Sequence, residues 1–322
     1  MGVTLESLGG WPAVLGRLFA REDLSAPEAE AVLDVILLGE ATPAQIAAFA
    51  AALRTKGETA EEMIGAVRSM RAHSERIELG TGLVDTCGTG GDRSGSINVS
   101  SMAAVVVAAA GARVCKHGGR AASSMAGSAD VFEALGVAIE LGPVGVARCV
   151  EETGIGFCFA PRFHPAMRFA APVRRELGVA TLFNFLGPLA NPAAASRQLV
   201  GVGDSSMAER VLSVLEANSA EHAMVVFGHD GLDELSTVAP STLLETVRRS
   251  DGSYERSTAE VNATDFGIAP ASAEELRGGS PETNARLVRA VFSGEVGPRR
   301  EFVALNAGAA LKVAGLTGSL AD

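Results

Sequence analysis

Four short apolar runs in this chain end in small or polar loops: LVDTCGTGGD (83–92), ARVCKHGG (112–119), IGFCFAP (155–161) and HAMVVFGHDG (222–231). Helical segments lie between them, such as SMAAVVVAAAG (101–111), SADVFEALG (128–136) and SMAERVLSVLEAN (206–218). Strand, loop and helix in alternation constrain this part of the chain to an α/β fold with a central, mostly parallel sheet. In such folds the loops at strand ends are the default ligand site.

The first 75 or so residues have a different texture. Three capping boxes announce helix starts: Ser25 with Glu28, Thr42 with Gln45, and Thr59 with Glu62. In each, a hydroxyl can cap one free amide while the later side chain reaches back to another. Apolar residues then recur at helical spacing, as in EAVLDVIL (30–37) and AQIAAFAAAL (44–53). No cluster of catalytic residue types falls here. The expected architecture is a small N-terminal helical domain, 1–75, packed on a larger α/β domain, 76–322. The proline-punctuated stretch 161–192 is expected to leave the sheet and return to the helical layer, so that 165–195 joins the small domain.

Hydrophobic residues make up 47% of the 322 and aromatics only 5%, which suits helices and α/β layers better than a β-sandwich. The net charge of −11 argues against a nucleic-acid partner, so any bound anion must be held by a local site. Cys87, Cys115, Cys149 and Cys158 form no CxxC pair and lie in or beside apolar runs, as reduced buried thiols do. The apolar stretch 103–110 is too short to span a bilayer, and the N-terminus lacks a signal-peptide pattern. The chain reads as a reduced, cytoplasmic protein with no membrane partner.

Four stretches carry chemistry. In DTCGTGGDRSGSINVSS (85–101), Gly88, Gly90 and Gly91 turn the chain where a strand ends, leaving amides free to face a phosphate. Asn98, Ser100 and Ser101 then open a helix whose first turn favours anions. Alone, this loop is equally an ordinary turn with a helix cap; it is neither a Walker A nor a GxGxxG motif. KHGGRAASSMAGSAD (116–130) repeats the design and adds Lys116 and Arg120, where the plain alternative is a solvated basic loop. DGLDELS (230–236) sets Asp233 and Glu234 at a strand end, either as ligands for a hard cation or as a surface turn. FAPRFHPAMRFAAPVRRELG (159–178) holds His164, Arg168, Arg174 and Arg175, and a guanidinium there could clamp a carboxylate. His73, His222 and His229 have no matching partners nearby in sequence and read as structural.

Taken together, GTGGD (88–92), NVSS (98–101), KHGGR…GSAD (116–130), HPAM…PVRRELG (164–178), FNFLGPLANPA (183–193) and DGLDELS (230–236) resemble the anthranilate phosphoribosyltransferase family, of the nucleoside-phosphorylase-like group. Their order and spacing run together over about half the chain. The resemblance implies transfer of a phosphoribosyl group from phosphoribosyl pyrophosphate (PRPP) to the amine of anthranilate, in tryptophan biosynthesis. It implies a homodimer paired through the helical domain. Gly88, Gly91, Asp92, Ser96, Asn98, Val99, Ser100 and Ser101 would hold PRPP; Lys116, Arg120, Ser123, Ser124 and Ser128 would hold its phosphates. Ser100, Asp233 and Glu234 would ligate two magnesium ions. Gly88, Gly119 and Arg174 would bind anthranilate, with His117 and His164 lining its entrance. One position departs: the family motif is KHGN, and Gly119 stands where its Asn, assigned to the acceptor, is expected.

The chemistry agrees with the residues. Displacing pyrophosphate from ribose C1 needs charge neutralisation and a positioned amine, not a protein nucleophile. Lys116 and His117 would assist. The rivals are a pyrimidine nucleoside phosphorylase-like enzyme, a phosphoribosyltransferase with another aromatic acceptor, and a catalytically silent PRPP-binding relative. Phosphorolysis has no use for the acidic pair at 233–234, and a silent relative would not need it intact.

Overall fold

The computed structural model describes residues 2–92, 94–121 and 125–322. Four helices come first: α1 (Gly10–Phe19), α2 (Ala26–Leu37), α3 (Pro43–Lys56) and α4 (Ala60–Ala72). The capping boxes close as the sequence predicts: Thr42 and Thr59 accept from the Gln45 and Glu62 amides, while Gln45, Glu62 and Glu28 reach back to the Thr42, Thr59 and Ser25 amides. α2 and α4 cross closely at Gly65, where any Cβ would overlap the Ala26 carbonyl.

The α/β part follows as β1 (Val84–Gly88), α5 (Val99–Ala109), β2 (Val114–Gly118), α6 (Ser128–Ala134), α7 (Pro143–Thr153) and β3 (Ile155–Phe159). The chain then leaves the sheet through α8 (Ala160–Phe163), α9 (Ala171–Leu177) and α10 (Leu182–Leu189). It returns as β4 (Arg197–Gly201), α11 (Ala208–Ala217), β5 (His222–Gly228), β6 (Ser241–Arg248) and β7 (Tyr254–Val261), and closes with α12 (Pro281–Phe292) and α13 (Pro298–Ala314).

The seven strands lie in the order β3-β2-β1-β4-β5-β6-β7. The first five are parallel; β6 and β7 add an antiparallel hairpin at one edge. The strand order reverses direction between β1 and β4, and such a switch point opens a crevice beyond the carboxyl ends of the strands. Glycine ends β1, β2 and β4 at that crevice, as Gly88, Gly118 and Gly201.

One hydrophobic cluster runs from Trp11, Leu33, Phe49 and Met63 through Phe183 and Leu186 of α10 to Val200, Leu212 and Val225. The helical bundle and the sheet therefore share a core, with α10 wedged between them. The opposite face of the sheet is covered by α5 and α13, through Val107, Leu305, Ala309 and Val313. The crevice thus sits between a rigid sheet edge and helices that pack on the bundle.

Candidate active site

The turn after β5 reaches back under the ends of β1 and β4. A Cβ on Gly201 would overlap the Asp233 carbonyl, and one on Gly88 would overlap its carboxylate. Only glycines at those strand ends let residues 230–236 enter. Asp233 is 8% exposed, and its Oδ2 accepts from the Gly90 amide at 2.8 Å. Burial, then the neighbouring Asp92 carboxylate, pushes Asp233 up to about 7. Burial and Asp233 likewise raise Glu234 well above the usual carboxylate range, although Lys116 pulls it down and the Ser100 amide at the start of α5 donates to it.

Lys116 is 1% exposed, and its ammonium donates to the Thr86 carbonyl rather than extending into the crevice. Its charge pulls down both the Asp85 and the Glu234 carboxyls. Asp85 is fully buried; it accepts from the His117 amide at 3.1 Å and from Asn191 Nδ2 at 2.7 Å. Burial raises Asp85 against the pull of Lys116. Asn191 Nδ2 also donates to the Cys115 carbonyl at 2.8 Å, tying the α10–β4 connection to β2.

These groups border a cavity of about 270 Å³, lined by residues 87–92, 94–98, Ser100, residues 116–121 and 126–128, Asn184, Asp233 and Glu234. Backbone amides of two glycine-rich loops and buried carboxylates dominate its walls. Asn98 braces the two loops, donating to the Ala126 carbonyl at 3.0 Å and accepting from Asn284 Nδ2 at 2.8 Å. Ser101 Oγ donates to Ser128 Oγ at 2.9 Å. Asp130 accepts from the Ala121 and Gly127 amides at 2.9 and 2.8 Å, holding the second loop open.

A second cavity of about 190 Å³ adjoins the first, sharing residues 87–89, 117–119 and Asn184 with it. Its remaining walls are Ala160, Arg174, Phe183, Gly187 and Pro188. The Arg174 guanidinium lies 5.8 Å from the Phe183 ring centroid, its Nε has no partner, and burial lowers its pKa. No carboxylate among the described residues pairs with it. His117 Nδ1 lies 3.0 Å from the Gly187 carbonyl. A carbonyl can only accept, so Nδ1 carries the proton and Nε2 keeps a lone pair, which is buried and unpartnered. The His117 and His164 rings lie 5.0 Å apart. Burial, reinforced by His164, drops His117 to about 3; burial drops His164 to about 4. Both stay neutral near pH 7.

A family model described as "Glycosyl transferase family, a/b domain" matches residues 80–322, and one described as "Glycosyl transferase family, helical bundle domain" matches 12–74. The chain is 52% identical over 303 residues to the anthranilate phosphoribosyltransferase of Saccharopolyspora erythraea, covering 94% of this chain and 85% of that protein. The Rhodococcus jostii protein of the same name is 52% identical over 301 residues, covering 94% and 82%.

The chain belongs to the anthranilate phosphoribosyltransferase family.

Among solved structures, the family member from Thermus thermophilus superposes with a TM-score of 0.88 at 41% identity, covering 95% of this chain and 91% of that one. The Saccharomyces cerevisiae family member, solved in complex with PRPP and Mg, gives 0.87 at 25% identity, covering 97% and 90%.

Against the family pattern, Gly88, Gly91, Asp92, Ser96, Asn98, Ser100, Lys116, Arg120, Ser128, Asp233 and Glu234 all border the first cavity. Val99 and Ser101 sit behind it in the buried first turn of α5. Ser123 and Ser124 lie outside the described residues. Gly119, His117 and Arg174 border the second cavity, whereas His164, expected at the entrance, lines neither cavity and lies against His117 with its ring tilted by 57°. Arg120, expected as a free phosphate clamp, is paired with Asp130 and Glu133, each at 2.8 Å. His73 and His222, read as partnerless, meet Asp34 at 3.0 Å and Glu245 at 2.7 Å; those partners are remote in sequence and only the fold supplies them. Sequence reasoning missed Asp85, Asn184, Asn191 and Gly201 as builders of the site. All but Gly201 lay inside quoted motifs, yet none sits where a ligand-binding pattern flags it.

Proposed function

We propose that this chain transfers the phosphoribosyl group of PRPP to the amine of anthranilate, forming N-(5'-phosphoribosyl)anthranilate and pyrophosphate in tryptophan biosynthesis. The observation that carries the reading is the junction of two unlike cavities at Gly88, His117, Gly119 and Asn184. One is built for an anion with its counter-cation, the other offers a guanidinium without a carboxylate.

PRPP lies along the two glycine-rich loops, held by Gly88, Gly91, Asp92, Ser96, residues 98–101 and the 116–128 segment. The buried carboxylates there exceed their cations, which fits a hard divalent ion. Asp233, Glu234 and Ser100 are the groups that would hold magnesium, two ions per chain in this reading. When bound, magnesium supplies charge neutralisation at the pyrophosphate. Lys116 keeps Asp85 and Glu234 oriented as their buried counter-ion. Arg174 holds the acceptor carboxylate, so that the amine faces ribose C1. As the C1–O bond breaks and the N–C1 bond forms, the amine gives up a proton that the departing pyrophosphate can take, while His117 stays neutral at the junction of the cavities. Placement and electrostatics carry the step, without a covalent intermediate.

In this reading residues 1–75 with 165–195 form the acceptor-side body, and the rest of 76–322 the PRPP side. The exposed Phe19 and Leu38, with Ala48 and Ala51 of α3 beside Phe19, support pairing of two copies through the helical domain. The test is pyrophosphate release from PRPP and magnesium with a panel of aromatic amines. Release that tracks anthranilate supports the reading; release with another acceptor, or phosphorolysis of a nucleoside, overturns it.

A further inference from the structure

We infer that Asn184 is an acceptor-positioning residue, its side-chain amide donating to the acceptor carboxylate from the corner where Gly119 leaves space. The inference rests on the phosphoribosyl-transfer reading above and names a residue that reading does not use.

Three observations carry it. First, the orientation of the amide is fixed. The Thr181 amide donates to Asn184 Oδ1 at 3.2 Å, closing the N-terminal cap of α10. The oxygen end is therefore spent on the helix, and the NH₂ end is the one left to face the cavities. Among the described residues, no protein group accepts from that NH₂.

Second, Asn184 is one of few side chains that border both cavities. The other polar side chains that do so are Thr89 and His117. Thr89 Oγ1 accepts from the Gly203 amide at 3.2 Å and donates to the Gly90 carbonyl at 3.4 Å, and the one N–H of His117 is spent on the Gly187 carbonyl. A carboxylate entering with one oxygen on Arg174 has its second oxygen, the one beside an ortho amine, still to satisfy. A donor at the junction of the cavities is what that oxygen requires, and Asn184 supplies it. α10 packs between the helical bundle and the sheet, so the donor is mounted on a rigid element.

Third, Gly119 faces this corner with almost nothing beside it. A Cβ there would meet only the Ala160 Cβ, at 3.9 Å, and the backbone is outside the left-handed region. A side-chain amide at 119 is thus sterically admissible, and it would reach the same junction. Positions 119 and 184 can substitute for one another, and in this chain 184 carries the contact.

The experiment measures steady-state constants for anthranilate and PRPP, by loss of anthranilate fluorescence with magnesium present. It compares the parent, Asn184→Ala, Asn184→Asp, Gly119→Asn, and the double variant Gly119→Asn with Asn184→Ala. Asn184→Ala is expected to raise the anthranilate KM about tenfold, the worth of one hydrogen bond to a charged group, with the PRPP KM moved less than about twofold. Asn184→Asp keeps an oxygen for the Thr181 amide but removes the donor and adds a negative charge. It should melt like the parent and yet raise the anthranilate KM more than Asn184→Ala does. A residue that only caps α10 would give the opposite result, a near-parental Asp variant. Gly119→Asn should recover most of the loss in the Asn184→Ala background and gain only a few-fold alone.

An unchanged anthranilate KM in Asn184→Ala, equal effects on both substrates, or strictly multiplicative effects of the two substitutions would overturn the assignment. A parent protein that does not consume anthranilate would instead overturn the reading on which it rests.

Discussion

The cavity on the phosphate side takes most of its walls from two glycine-rich loops and one acidic turn, whereas the adjoining cavity is walled by the ends of β1 and β2, by Ala160 and Arg174, and by four residues of α10. Their electrostatics are opposed. The first has Asp233 and Glu234 buried in its wall, with Asp85 and Lys116 buried close by, and burial raises the three carboxyls. The second holds Arg174 beside the Phe183 ring, without a carboxylate partner among the described residues, and has neutral His117 in its wall. One half carries an excess of carboxylates and the other an unpaired guanidinium. On the proposed reading, a magnesium-bound pyrophosphate and an aromatic carboxylate would complement them. Burying an unpaired charge is costly, so each half loses stability for function until its ligand arrives.

The sharpest way to break this contrast is to remove the acidic pair. Asp233→Ala with Glu234→Ala should abolish turnover while leaving the thermal melt near the parent's, because the two carboxylates are strained by burial and by each other in the free protein. Measurable turnover in the double variant would detach the metal role from this turn. On the other side, Arg174→Ala should raise the anthranilate constant roughly 10- to 100-fold, the range of a hydrogen bond to a charged group, and leave the PRPP constant nearly unmoved. Arg174→Lys should not restore it, since an ammonium lacks the planar fork. Equal losses for both substrates would mean that the two cavities are not separable in this way.

A pH titration of stability sharpens the comparison further. His117 and His164 are held at about 3 and about 4 when folded, against about 6.5 in an unfolded chain. Below pH 6.5 the unfolded chain therefore binds protons that the folded one refuses, and stability falls as the pH drops toward 4. Urea midpoints between pH 7 and 4.5 should decline less steeply in His164→Asn than in the parent. Parallel slopes would show that this histidine is not kept neutral by burial. The smallest expected effect is at Gly119: Gly119→Asn alone should lower the anthranilate constant by a few-fold, measured by the same fluorescence assay. A large loss instead would show that the open corner at 119 is needed by the acceptor.

What the sequence made legible follows the same division. The glycine loops, the acidic pair and the three capping boxes were readable because each is a local pattern, whose residues act within a few positions of one another. The order of the strands in the sheet was not readable. β4, RQLVG, opens on two polar residues, Arg197 and Gln198, and the β6–β7 hairpin carries exposed charges that dilute its alternation. Asp85 and Asn191 meet across more than a hundred residues, at 2.7 Å, and no local signal links them. Lys116 was legible as a cation but not as a buried one: its position on β2 suggested reach into the crevice, and the Thr86 carbonyl instead holds it in the wall. Gly201 shows the same limit, since its need for a missing side chain arises only when the 230–236 turn passes beneath it.

Everything above turns on whether the two cavities serve a single transfer. The direct measurement is a single-turnover experiment with enzyme in excess over anthranilate, followed by fluorescence, with PRPP and magnesium added together and each withheld in turn. The prediction is complete loss of anthranilate fluorescence only when both are present, with one pyrophosphate released per anthranilate consumed. Undiminished fluorescence with all components present, or pyrophosphate released without consumption of anthranilate, would contradict it.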